Sequence, residues 1–221
     1  MSAAEKDPDI LLRKAYESLS TEEKLTELAK GQTVEQVYGF IQKGERKKAS
    51  HFVYNRFYRR YLMPFVEVDP DYNSGFAQMA ACCLMIEAME SFRNGWNDSM
   101  KDAKKEDGSR KYGGEIFEEF FGRYGEFKDF RGLGKEFYSS IRNGILHQAE
   151  VNNGWTIERK EKYPLVDKEK RIIHSTRFRY RMKLCLRKYC KELENDNGIW
   201  DNFKIKMAFV IQNCHAGNMK S

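Results

Sequence analysis

The stretch FAQMAACCLMIEAMESFRNG, from Phe76 to Gly95, constrains the fold most. It is apolar on nearly all sides, and a helix with so little polar surface has to lie inside a bundle of other helices. The predicted fold class is therefore all-α. The closing Arg93-Asn94-Gly95 reads as a helix stop, with the glycine free to take the left-handed cap conformation.

The rest of the chain supplies partners for that helix. From Pro8 to about Lys30 it is charged and helix-prone, with only a thin apolar stripe through Leu11, Leu12, Ala15, Leu19, Leu25 and Leu28. Thr33 is a predicted N-cap for a helix through Val34, Val37, Tyr38 and Ile41 that ends at Gly44. SHFVYNRFYRRYLMPF forms a further helix that stops near Pro64. The turn-rich VDPDYNSG, Val68 to Gly75, is the best internal boundary. It divides the chain into an N-terminal helical extension, residues 1–72, and a main helical domain, residues 73–221.

Within the main domain, KDAKKEDGSRKYGG is a polar loop. GEIFEEFFGRYGEF is a short helix carrying Ile116, Phe117, Phe120, Phe121 and Tyr124, and Gly132 or Gly134 leads into the next one. WTIER and RIIHS read as two short strands flanking VDKEK, a small β-hairpin near residues 154–174 inserted before the last long helices. Ser175 or Thr176 is the expected cap of a long helix with Phe178, Met182, Cys185, Tyr189 and Leu193 on its apolar face. Its other faces carry Arg177, Arg179, Arg181 and Lys188 among other cations. The apolar helix IWDNFKIKMAFVIQN follows.

Charged residues make up 33% of the chain, and its four prolines are too few for a linker-rich protein, so a folded, soluble protein is expected. A net charge of +6 permits a polyanionic partner. The five cysteines are odd in number and form no CxxC pair, as in a protein kept reduced in the cytoplasm. No stretch of about 18 apolar residues occurs, so no membrane contact is expected. Cys214 and His215 adjoin but lack a third ligand at suitable spacing. No metal and no cofactor is expected.

One segment fits the packing logic poorly. IRNGILHQAE, Ile141 to Glu150, places a glycine, a glutamine and a histidine inside an amphipathic helix. At about 100° per residue, Phe137, Ile141, Gly144, Ile145 and Gln148 share one side, and Ser140, Asn143, His147 and Glu150 another. Arg142 stands roughly 140° from His147, so one straight helix does not easily aim both at one atom. A second copy of the helix across a two-fold axis would bring them together. Gly144 suits such an interface, since an interior glycine costs about 1 kcal/mol relative to alanine and is explained where backbones approach closely. Histidine can move a proton near neutral pH, arginine can hold a phosphate, and an amide can orient either. With RNA, the 2′-hydroxyl supplies the nucleophile. Spacing alone is weak, because Arg46 and His51 in RKKASH repeat it in a lysine-rich setting.

RNGILHQ, with a polar residue directly after the arginine, a buried helix before it and a hairpin and long helix after it, resembles the HEPN family over about residues 76–194. The resemblance implies a bundle of four or five helices that is usually a homodimer. It further implies a metal-independent endoribonuclease whose catalytic residues match Arg142, Asn143 and His147, in a toxin-antitoxin or antiviral defence setting. The implied partners are RNA, a second copy meeting at Gly144, and an antitoxin protein. On such a bundle Arg177, Arg181 and Lys188 would guide RNA phosphates. The alternative within the family is a non-catalytic module that dimerises and binds a nucleotide, RNA or protein.

Overall fold

In the computed structural model, which describes residues 7–66 and 73–215, the apolar stretch is a single helix, α5 (Gly75–Asn94). It ends where expected, at Gly95 with φ of 68°. Met79, Cys82, Cys83, Met85, Ile86 and Met89 are buried along it. Burial pushes the Cys82 thiol up to about 12, so this cysteine is inert packing material. Most of the proposed boundary VDPDYNSG lies outside the described residues.

Before α5 come α1 (Pro8–Glu17), α2 (Thr21–Lys24), α3 (Val34–Gln42) and α4 (Arg46–Phe57). The last continues through a π turn, Tyr58–Leu62, into a 3-10 turn at Met63–Phe65, where Pro64 falls as anticipated. Thr33 caps α3 with its side chain and Gln36 answers in a reciprocal capping box. The segment read as helix-prone up to Lys30 departs from expectation. Its end forms a two-stranded antiparallel ribbon, β1 (Glu27–Ala29) with β2 (Gln32–Thr33), turned at Gly31 with φ of 72°.

After α5 follow α6 (Ser99–Asp102), α7 (Gly113–Arg123) and a 3-10 stretch, Gly125–Phe130. The next helix is a composite. It runs as α8 (Gly134–Phe137), a π turn (Tyr138–Arg142) and α9 (Asn143–Gln148). Three short strands, β3 (Thr156–Glu158), β4 (Val166–Asp167) and β5 (Ile172–His174), precede α10 (Ser175–Asn195) and α11 (Asn197–Gln212). The fold is thus mainly α with a few small strands.

The hairpin is present but differently composed. WTIER and RIIHS supply β3 and β5, which pair in parallel, Thr156 opposite Ile172 and Glu158 opposite His174. The antiparallel partner of β5 is β4, from the segment read as the connecting loop, with Val166 opposite Ile173. The strand order is β3-β5-β4. Ile172 and Ile173 are buried on the central strand, which is why its apolar run reads clearly while the two-residue β4 does not.

The described contacts fall into two compact units, neither of them contiguous: Met1–Arg56, Ser91–Asn97 and Lys188–Ser221 form one, Phe57–Glu90 and Asp98–Arg187 the other. This division differs from one at residue 72. In the first unit α1 packs along α11, burying Leu12 and Ala15 on one and Trp200, Phe203, Met207 and Ile211 on the other. The second unit is centred on phenylalanines. Phe121, Phe127, Phe130 and Phe137 surround Phe178, whose ring lies 4.6 Å from Phe127 and is stacked on Phe137 at 5.5 Å. The RNGILHQ segment belongs to this second unit.

Candidate functional site

The helix that carries Arg142 and His147 is fixed from its first residue. Gly132 and Gly134 donate their N–H groups to the two Glu118 carboxylate oxygens at 2.5 and 2.6 Å. Glu118 thus caps this helix, while its neighbour Glu119 pairs with Lys111 at 2.6 Å. A side chain at Gly134 would run into the backbone of Glu118, so α7 and α8 meet there without room for a Cβ.

The π turn then sets the register. It spans Tyr138–Arg142 and frees the Ser140 carbonyl, which accepts from the Asn152 N–H at 2.9 Å. Asn153 Nδ2 donates to Ser140 Oγ at 2.8 Å. Ser140 is fully buried, so the polar stripe of Ser140, Asn143, His147 and Glu150 divides into a structural end and an exposed end. The loop after α9 folds back over the helix, entered through Ala149 in the left-handed region with φ of 57°.

That return explains Gly144. A Cβ there would lie 2.5 Å from the Glu150 carbonyl oxygen and 3.3 Å from Val151 Cα. The close approach of backbones that Gly144 permits is met inside the chain, by its own return loop and not by a second copy.

Arg142 and His147 also come together within one chain. Arg142 Nη1 stands 3.3 Å from His147 Nε2 and 3.1 Å from Asn143 Oδ1. The expectation that the two groups diverge is corrected: the reach of the arginine spans the angle between their positions. Because an arginine can only donate, His147 Nε2 is the acceptor in this pair, the tautomer that carries its N–H on Nδ1. His147 is exposed.

A residue with no place in the sequence reading holds the other side of the guanidinium. Arg142 Nε donates to Glu87 Oε1 at 2.8 Å and Nη2 to Glu87 Oε2 at 3.3 Å, with both side chains about 15% exposed. Burial alone would lower the Arg142 pKa, and the Glu87 hydrogen bond and charge outweigh it, holding it above its ordinary value. The Arg142 guanidinium also lies 5.2 Å from the Tyr138 ring centre. Three residues on, Glu90 is 1% exposed and paired with Arg123. The signal was in the sequence: two glutamates in IEAME, on a helix otherwise apolar all round, each require a buried cation.

Arg177 and Arg181 are exposed on α10 and line a cleft of the second unit, and Lys188, further along the same helix, is also exposed. The expected cap of α10 is also reassigned, since His174 Nδ1 accepts the Arg177 N–H at 3.3 Å. The look-alike pair Arg46 and His51 engages separate partners: Arg46 donates to Asn197 Oδ1 at 2.6 Å, and His51 meets Asn55 Nδ2 at 2.8 Å. His215 sits 3.0 Å from Glu23.

Neither the protein-family models nor the curated proteins nor the solved structures contain a match to this chain.

Proposed function

We propose that the chain is a metal-independent endoribonuclease of HEPN type, acting in a toxin-antitoxin or antiviral defence setting. The observation that carries this reading is the exposed His147 ring held 3.3 Å from Arg142 Nη1, with Asn143 on the same nitrogen. An arginine has five N–H donors. Glu87, Asn143 and His147 engage four of those on Arg142, which leaves one, on Nη2, for a phosphate oxygen.

A scissile phosphate that takes the Nη1 donor from His147 frees the Nε2 lone pair in the same movement. His147 then accepts the proton of the RNA 2′-hydroxyl as its oxygen attacks phosphorus. The bond from phosphorus to the 5′-oxygen breaks, the 5′-oxygen takes a proton from solvent water, His147 later returns its proton to solvent, and the products are a 2′,3′-cyclic phosphate and a 5′-hydroxyl. Arg142 stabilises the charge gathering on the phosphoryl oxygens.

The test is product analysis on RNA and DNA with and without EDTA. Cyclic phosphate and 5′-hydroxyl ends, unchanged by EDTA and absent on DNA, support the reading. Ends bearing 5′-phosphate, or loss of cleavage with EDTA, overturn it.

One observation favours a second reading, a non-catalytic module of the same type. The two-point pair with Glu87 neutralises Arg142, as in an arginine retained to tie α5 to the helix that follows α7. Failure of the wild-type protein to cleave any RNA selects it.

A further inference from the structure

A second group of polar residues in the same unit takes no part in the Arg142 site. A cleft of about 730 Å³ opens where α10 begins. Its wall carries Arg177, Arg179, Arg181 and Lys183 against two carboxylates, Asp129 and Glu161, and is therefore positive. Arg177 Nη2 donates to the Glu161 carbonyl at 3.0 Å, and Arg179 Nε donates to Gln78 Oε1 at 3.2 Å. Among the described residues, no hydrogen bond or ion pair engages the exposed Arg181 guanidinium, and the Lys183 ammonium rests 5.3 Å from the Tyr58 ring centre.

His174 lines the same cleft and is only 1% exposed. Its Nδ1 accepts the Arg177 N–H, which leaves the ring proton on Nε2. Nε2 has no hydrogen-bond partner among the described residues. Burial, followed by the Arg177 charge, holds the His174 pKa below its ordinary value, so the ring is neutral and Nε2 is a donor. A buried donor without an acceptor is unfavourable until something supplies one. The site thus offers a built donor, two cations available to a ligand, and the first turn of a long helix, whose end favours anions. Leu62, Val66, Pro164 and Leu165 add apolar lining to the same cleft.

We propose that this cleft binds a small phosphate monoester, its phosphate held by Arg181, Lys183 and His174 and its organic body packed against the apolar lining. The volume is that of a small-molecule site, which favours a single compact ligand over a passing strand. The assignment stands independently of the ribonuclease reading.

The probes are adenosine 5′-monophosphate and glucose 6-phosphate, each titrated calorimetrically into the full chain, with adenosine and glucose as controls lacking the phosphate. At least one ester binds saturably, at least tenfold more tightly than its control, and Arg181→Ala and Lys183→Ala each weaken it at least tenfold with the circular dichroism spectrum unchanged. His147→Ala leaves this binding as it is. The proposal is overturned if neither ester binds at millimolar concentration, if the controls bind as well, or if both variants bind like wild type. It is overturned too if only single-stranded RNA binds and the same variants lose it, an outcome that makes the cleft part of a strand path.

Discussion

Arg142 joins Glu87 through two nitrogens, at 2.8 and 3.3 Å, while a third nitrogen of the same guanidinium reaches His147. One side chain thus serves both the packing of α5 and the candidate chemistry, and the two roles respond to different substitutions. Arg142→Ala leaves the Glu87 carboxylate buried without its cation and should lower stability by about 3–5 kcal/mol. The paired change Glu87→Gln with Arg142→Gln should recover much of that loss. Urea denaturation of Arg142→Gln, Glu87→Gln and the double variant yields the coupling; additive losses would mean the pair is not coupled.

Gly144 makes the second test. Gly144→Ala forces a Cβ against the Glu150 carbonyl, so the return loop must shift, at a cost of about 1–3 kcal/mol. Sedimentation of the variant should match wild type, because the crowding is internal. A variant as stable as wild type that changes its oligomeric state would instead restore a subunit interface at this position.

His174 gives the molecule a pH dependence whose sign is fixed. Its folded pKa is depressed by burial and then by the Arg177 charge, so the unfolded chain binds the proton more readily. Its contribution to stability is complete above the unfolded value, near 6.5, and is lost as pH falls through the lower folded value. The melting temperature of wild type should therefore fall between about pH 7 and 5 more steeply than that of His174→Gln. Parallel profiles for the two proteins would contradict this.

The helical pattern was largely legible in the sequence because burial writes itself as periodicity. Ile116, Phe117, Phe120, Phe121 and Tyr124 are buried on α7, and Phe178, Met182, Cys185, Tyr189 and Leu193 on α10, as their spacing requires. The strands β4 and β2 were not legible, since two residues carry no alternation to read. The discontinuous units were also beyond a linear reading, as α5 and α10 each contribute to both. At the site, the spacing of Arg142 and His147 was visible but their contact was not, because it depends on the arginine's reach. Glu87 was recoverable from chemistry alone, as a charge on a helix without another polar face.

His147→Ala is the most direct measurement, because this exposed side chain can be removed without touching the Glu87 pair. Wild type and variant are compared on single-stranded RNA by initial cleavage rate, with matched unfolding midpoints as the control. Loss of the proton acceptor should slow cleavage by about 10² to 10⁴-fold at unchanged stability. Equal cleavage by the two proteins, at any RNA concentration, would contradict the assignment of His147 and with it the ribonuclease reading of this site.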